Sequence, residues 1–113
     1  MQAPHPLPDP LVHLIAQRFR VLGEPLRIKL LDALRDGGMT VGELTESLGA
    51  SQQNVSKHLG VLHQAGLIDR TKQGTFVRYA ITDEWVFELC NLVCGSLRQQ
   101  VSELDQLLAV GTS

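Results

Sequence analysis

A pair of short helices joined by a tight turn is predicted for residues 40–66. Thr40 and Glu43 have the spacing of a capping box, in which each side chain satisfies a backbone N–H at the start of a helix. Gly49 suits the turn, because glycine readily adopts the left-handed conformation. Ser51 then fits the N-cap of the second helix. Apolar residues recur at helical spacing in both helices, namely Val41, Leu44, Leu48, Val55, Leu59 and Leu62.

The outer face of the second helix carries amide, hydroxyl and ammonium groups. A glutamine can pair bidentately with adenine, a serine can bond to several bases, and a lysine can reach guanine or a phosphate. An ordinary solvated helix face favours the same residues, so this pattern alone leaves both interpretations open. The candidate DNA-binding residues in this segment are Ser51, Gln52, Gln53, Ser56 and Lys57.

A β-hairpin is predicted directly after this helix pair. The segment 67–81 ends in alternating apolar and polar side chains, and Gly74 marks a polar tip. A basic hairpin in this position indicates a winged helix, whose second helix enters the major groove while the wing approaches the flanking backbone or minor groove. The candidate wing contacts are Lys72, Gln73 and Arg78.

The other segments complete a single predicted domain. Apolar faces indicate helices at 11–22 and 83–108, and a further helix follows Pro25. Four prolines between Pro4 and Pro10 forbid helix there and predict a flexible Pro-rich arm at 1–10. We therefore predict a mainly α fold with a small β-hairpin, a winged helix-turn-helix domain at 11–110 in the order α-α-α-α-β-β-α.

The charge is unevenly distributed along the chain. The whole chain has a formal net charge of −2, but residues 51–81 carry four basic side chains against Asp69 alone, a local charge of +3. Positive charge is thus concentrated in the segment where a DNA-binding surface needs it. We find no set of nucleophile, base and acid and no phosphate-binding glycine loop, so we do not predict an enzyme.

The chain has neither an apolar run suited to a signal peptide nor one that approaches a membrane span. We therefore predict a cytoplasmic protein with no membrane partner, in which both cysteines are reduced thiols.

Two segments closely resemble the ArsR/SmtB family of bacterial winged-helix regulators: LGEPLRIKLLDAL at 22–34 and TVGELTESLGASQQNVSKHLGVLHQAGLIDRTKQGTFVRYAI at 40–81. The resemblance covers about residues 14–95. It implies a homodimeric transcriptional repressor that leaves its operator when it binds a metal ion or another inducer, with the helices at 11–22 and 83–108 forming the dimer interface. Leucine-rich faces on both helices agree with this, because one small domain could hardly bury them alone.

The resemblance also bears on His58 and on the operator. His58 occupies a recognition-helix position common in the family, which implies a structural or phosphate-contact role. The two recognition helices of a dimer would enter successive major grooves about 34 Å apart, so double-stranded DNA with an imperfect inverted repeat is the expected partner.

Two metal sites known in the family lack their ligands here. One uses cysteines in a segment of the form ELCVCDL, where this chain has Thr45 and Ser47, and neutral hydroxyls are poor ligands for soft metals. The other lies on the last helix and pairs an Asp with His residues. This chain offers Asp83, but Trp85 stands at the partner position and no His follows.

Cys90 and Cys94 are the remaining candidates for sensing. They are four residues apart, so on a helix both thiols point to one side, within roughly 6 Å of each other. Two thiolates can chelate a soft ion such as arsenite, cadmium, mercury or zinc, with further ligands from His13 or the other subunit. Oxidation is a rival role, although a disulfide within one intact helix is geometrically poor.

Structural packing is the alternative for Cys90 and Cys94. A free cysteine is a small apolar residue that often fills helix–helix contacts, and both flank the apolar face of the last helix next to Gly95. An ArsR-like repressor with structural cysteines and no metal sensing is therefore an open alternative. So is a winged-helix module that binds another protein, because a fold does not fix a function.

Overall fold

The computed structural model describes residues 2–111 and divides into two compact units, one ending at Thr82 and the other beginning at Asp83. The helices are α1 (Asp9–Leu22), α2 (Pro25–Ala33), α3 (Val41–Leu48), α4 (Gln52–Gln64) and α5 (Trp85–Gly111). The strands are β1 (Met39–Thr40), β2 (Ile68–Gln73) and β3 (Phe76–Ile81). This order confirms the mainly α winged helix-turn-helix, and it adds one short strand before α3.

The first helix begins earlier than the prolines suggested. Residues 2–8 form neither helix nor strand and are exposed, whereas Met1 of the predicted arm lies outside the described residues. We expected Pro10 to exclude helix, but α1 begins at Asp9 and contains it. A proline fits the first turn of a helix, because the N–H that it lacks has no helical partner there.

The helix pair is built as its local sequence predicts. The Glu43 N–H donates to Thr40 Oγ1 at 3.2 Å, and the Thr40 N–H donates to Glu43 Oε1 at 3.0 Å, which completes the capping box of α3. Gly49 ends α3 with φ +65°, a left-handed conformation that glycine adopts at little cost. Ser51 Oγ accepts a hydrogen bond from the Asn54 N–H and caps α4.

The sheet contains the predicted hairpin and an additional strand. Its order is β1-β3-β2, and both pairings are antiparallel. Gly74 begins the two-residue turn of the hairpin with φ +61°, as the first central residue of such turns requires. At the base of the hairpin, Thr82 Oγ1 donates to the Gly66 carbonyl at 2.9 Å. Strand β1 pairs with the other side of β3, so it ties the wing to the start of α3.

The core of the first unit is made almost entirely of leucine. Helix α4 packs against α2, α3 and the start of β2. The buried apolar side chains of this unit are Leu22, Leu30, Leu31, Leu34, Leu44, Val55, Leu59, Leu62, Leu67 and Ile68. Because the inner face of α4 supplies three of them, its outer face is held at a fixed orientation on a close-packed support.

Helix α5 forms most of the second unit. Its 27 residues make a rod about 40 Å long. Asp83 Oδ1 accepts a long hydrogen bond of 3.4 Å from the Trp85 N–H at the start of this helix. Within residues 2–111, no helix combines the length and the apolar character that crossing a membrane would need.

Candidate nucleic-acid interface

The outer face of α4 is open to solvent. The side chains predicted to contact DNA from this segment are all exposed: Ser51, Gln52, Gln53, Ser56 and Lys57. Behind them, Val55, Leu59 and Leu62 are fully buried. The helix therefore presents amide, hydroxyl and ammonium groups outward while its apolar side is anchored, which is the arrangement that reading a groove requires.

His58 is partly buried and bonded within the protein. Its Nδ1 accepts a hydrogen bond of 3.0 Å from Arg27 Nε, and Arg27 Nη1 donates to the Val21 carbonyl at 3.1 Å. Arg27 thus connects α4 with α2 and with the end of α1. Sequence reasoning did not single out Arg27, because its partner His58 lies 31 residues further along the chain.

The cationic side chains of the wing are placed in two different ways. Lys72 is exposed near the hairpin tip. Arg78 is bonded inward: it donates to the Gly38 carbonyl and, at 3.1 Å, to Gln73 Oε1. Its guanidinium also lies 3.8 Å from Glu43 Oε1. Lys72 is therefore free to approach a phosphate, whereas the position of Arg78 is set by the protein itself.

Gly38 leaves room for the Arg78 side chain. A Cβ atom at Gly38 would lie 2.9 Å from Arg78 Cγ and 3.2 Å from the Tyr79 carbonyl oxygen, both closer than ordinary contacts. The stem of Arg78 therefore crosses directly over the backbone that precedes β1. This close approach gives a structural reason for the second glycine of the Gly37–Gly38 pair.

Glu43 joins the wing to the helix pair. The Thr40 N–H that it accepts holds the pKa of the Glu43 carboxyl below its usual value, and the Thr40 hydroxyl and the Arg78 charge act in the same direction. Its carboxylate thus serves the capping box and the ion pair with Arg78 together.

A hollow of about 520 Å³ lies between the wing and the helix pair. Gln52 borders it from the first turn of α4, and Thr75, Phe76 and Val77 border it from the wing. Phe76 is 66% exposed. Sequence reasoning missed Phe76, although a large aromatic residue beside the turn of a basic hairpin was a signal that could have singled it out.

The two cysteines lie exposed on α5 as free thiols. They begin a series whose members are separated alternately by four and three residues: Cys90, Cys94, Leu97, Val101, Leu104 and Leu108. This alternation is the heptad pattern of a helix that packs along a second helix. Within residues 2–111, no three His, Cys, Asp or Glu side chains are grouped so that they could hold a metal ion.

Comparison with known proteins identifies the family. A helix-turn-helix domain model matches residues 22–71. The chain is 42% identical over 91 residues to the HTH-type transcriptional regulator CmtR of Mycobacterium tuberculosis, which covers 80% of this chain and 74% of that protein. It is 33% identical over 110 residues to the HTH-type transcriptional regulator Rv0081 of the same species. This match covers 93% of this chain and 96% of that protein. The chain belongs to the ArsR/SmtB family of winged helix-turn-helix transcriptional regulators.

Solved structures of this kind share the architecture. The crystal structure of Mycobacterium tuberculosis Rv0081 superimposes with a TM-score of 0.76 at 32% identity, covering 85% of this chain and 97% of that one. Mb0332 of Mycobacterium bovis, a homodimeric winged helix-turn-helix domain and a possible ArsR-family regulator, superimposes with a TM-score of 0.71 at 25% identity. The match covers 88% of this chain and 92% of that one. The ArsR/SmtB resemblance inferred from the sequence is confirmed.

Three residues stand at the two familiar ArsR/SmtB metal positions: Thr45, Ser47 and Asp83. Thr45 on α3 is partly buried, and its Oγ1 has no hydrogen-bond partner among the described residues. Ser47 and Asp83 are exposed. Because the first two offer only neutral hydroxyls and the third a single carboxylate, neither position supplies the donor set of a soft-metal site.

Proposed function

We propose that this ArsR/SmtB-family protein is a homodimeric repressor that binds an imperfect inverted repeat with one α4 helix in each of two successive major grooves. The observation that carries the proposal is the exposed polar face of α4 above its fully buried leucines, beside a wing with an exposed lysine. A regulator of this kind acts where its DNA is, so the proposal includes a cytoplasmic location.

The proposed contacts divide according to the chemistry of each side chain. Gln52, Gln53 and Ser56 would bond to base edges, because their amide and hydroxyl groups donate and accept. Lys57 and Lys72 would neutralise phosphates, and the Gln73 amide nitrogen would donate to the flanking backbone.

Three other candidates have partners within the protein, and we propose that they act by positioning. Ser51 caps α4, His58 accepts from Arg27, and Arg78 bonds to Gly38 and Gln73. Each of these bonds holds the reading helix or the wing in place. Their substitution would therefore weaken DNA binding by changing the orientation of these elements.

Substitutions on α4 test the division between phosphate and base contacts. Lys57→Ala is expected to weaken binding to all DNA sequences alike and to lower the slope of log affinity against log salt concentration by about one. Gln53→Ala is expected to relax preference at one base pair, by about 1–3 kcal/mol. Binding to the DNA upstream of its own operon, and to the same DNA scrambled, is measured by fluorescence anisotropy at several salt concentrations.

The parent protein is the reference for both variants. Equal affinity for upstream and scrambled DNA, or affinity that does not depend on salt, would contradict the DNA-binding repressor. A heteromeric protein complex without any sequence-specific DNA complex would instead support the protein-interaction module.

The dimer proposal rests on apolar side chains of α5 that the single chain leaves exposed. On the side of α5 that carries the heptad series, each is at least half exposed: Val93, Leu97, Val101, Leu104, Leu107 and Leu108. A monomer gains nothing from displaying so much apolar surface, whereas a second copy could cover it. The heptad spacing from Cys90 to Leu108 supports a partner helix as the covering element. The homodimeric Mb0332 domain, which is similar to this chain, adds support.

We further propose that Cys90 and Cys94 sense a soft metal ion or an oxidant. Both thiols are exposed and stand one helical turn apart on α5. Two thiolates suit arsenite, cadmium, mercury or zinc, and a second copy would bring two more. With a hydroperoxide, one thiol would become a sulfenic acid with loss of water or an alcohol, and another thiol would then form a disulfide with loss of water.

A double substitution tests the thiol proposal. The Cys90→Ser, Cys94→Ser variant is expected to bind operator DNA as the parent does, but to stay bound when cadmium, arsenite or a hydroperoxide is added. The readout is release of labelled DNA, followed by anisotropy. Equal release from parent and variant would contradict sensing by these thiols. A variant that no longer dimerises would show that the cysteines are packing residues.

A further inference from the structure

Phe76 is the most exposed aromatic side chain of the protein. It is 66% exposed, against 57% for Phe19, and the tyrosine, the tryptophan and Phe87 are partly buried. It begins β3 directly after the two-residue turn and pairs across the hairpin with Gln73. In the single chain most of this ring is in contact with solvent, so its apolar surface is available to a binding partner.

The surroundings of Phe76 connect it with the reading helix. Phe76 lines the same hollow as Gln52, a residue in the first turn of α4 that we propose to contact a base. In helix-turn-helix proteins the N-terminal residues of the recognition helix contact base edges. The exposed ring is therefore continuous with the proposed DNA-binding surface.

The two faces of the wing tip differ in chemistry. Neighbouring residues on a strand point to opposite faces, and directly paired residues share one face. Phe76 shares its face with Gln73, whereas Lys72 shares the other face with Val77. The tip thus presents an aromatic ring on one side and an ammonium on the other. If the hairpin tip entered a DNA groove edge-on, Phe76 would face one wall of the groove and Lys72 the other.

We propose that Phe76 inserts into the minor groove next to the major-groove site of α4 and packs against deoxyribose and base edges there. The minor groove is about 6 Å wide, and architectural proteins place apolar side chains in it as wedges. DNA is the favoured occupant because residues 51–81 carry a charge of +3 and Lys72 lies at the same tip. The proposal rests on the DNA-binding function proposed above.

The test separates an apolar contact from an ionic one by its salt dependence. Phe76→Ala is expected to lower operator affinity about tenfold and to leave the slope of log affinity against log salt concentration unchanged. Phe76→Leu, which keeps an apolar group, is expected to retain part of the affinity. Lys72→Ala is the matched control at the same tip, and it is expected to reduce that slope by about 0.9.

A footprint locates the contact. Hydroxyl radicals cleave deoxyribose from the minor groove, so the parent protein is expected to protect a flanking stretch that Phe76→Ala leaves open at saturating protein concentration. Unchanged affinity, or unchanged flanking protection, would overturn the proposal for Phe76. Failure of the parent protein to bind operator DNA would instead overturn the DNA-binding function itself. Because Phe76 is exposed, its variants should keep the thermal midpoint of the parent.

Discussion

Replacing Leu104 with lysine is expected to convert the protein from a dimer to a monomer. Leu104 occupies a heptad position of α5 and is 53% exposed in the single chain. Within a dimer the added ammonium would be buried against apolar side chains, and an unpaired buried charge is strongly unfavourable. The molar mass in solution, measured by light scattering or sedimentation, is expected to fall to that of one chain.

The same substitution should lower operator affinity by much more than the loss of one protein–DNA contact would. Two linked reading helices bind with an avidity that exceeds the affinity of one by a factor of about 10² to 10⁴. Operator affinity of Leu104→Lys is therefore expected to fall at least about a hundredfold. Leu92→Lys is the matched control, because Leu92 is exposed on α5 but lies outside the heptad series. A dimeric Leu104→Lys protein, or a monomeric Leu92→Lys protein, would contradict this placement of the interface.

Leu59→Ala is expected to destabilise the domain by about 2–5 kcal/mol. Leu59 has 0% exposure in α4, so its removal loses apolar burial and leaves a cavity where the reading helix packs. Small domains have a free energy of unfolding of about 5–15 kcal/mol, so the loss is a large part of the total. The free energy of unfolding is measured by urea denaturation monitored by circular dichroism.

Gly60, the residue after Leu59 on α4, provides a control for which the expected change in the free energy of unfolding has the opposite sign. Gly60 is exposed, and a Cβ atom there would meet nothing within 4 Å. Gly60→Ala should therefore raise stability by up to about 1 kcal/mol, because alanine favours a helix interior more than glycine does. Equal stabilities for Leu59→Ala and the parent would mean that α4 does not depend on its leucine support.

The sequence predicted best those features that depend on near neighbours. The capping box of Thr40 and Glu43 and the cap by Ser51 each join residues three apart, so their spacing contains the whole interaction. The buried face of α4 could be predicted equally well, because helical periodicity shows which side of a helix is apolar. The predicted start of α1 was two residues too late, because a proline breaks a helix in its interior but is tolerated in its first turn.

Distant pairings were missed for a physical reason. Strand β1 has two residues, Met39 and Thr40, and it exists only because Tyr79 and Arg78 lie opposite them. Nothing in the local sequence marks so short a strand. The inward bonds of Arg78 to Gly38 and Glu43 depend on this pairing, so the sequence could only present Arg78 as one more basic residue of the wing.

Thr40 belongs to two elements, and this has a consequence for operator choice. It pairs with Arg78 in the sheet, and its hydroxyl accepts the Glu43 N–H at the start of α3. The hairpin and the helix pair are therefore held together at a fixed spacing, which sets the distance between the wing tip and α4, the helix that we propose to enter the major groove. A duplex whose helical twist did not match this distance would have to change its twist before both α4 and the wing tip could contact it. Selection among sites can therefore act through torsional stiffness, at base pairs that no side chain touches.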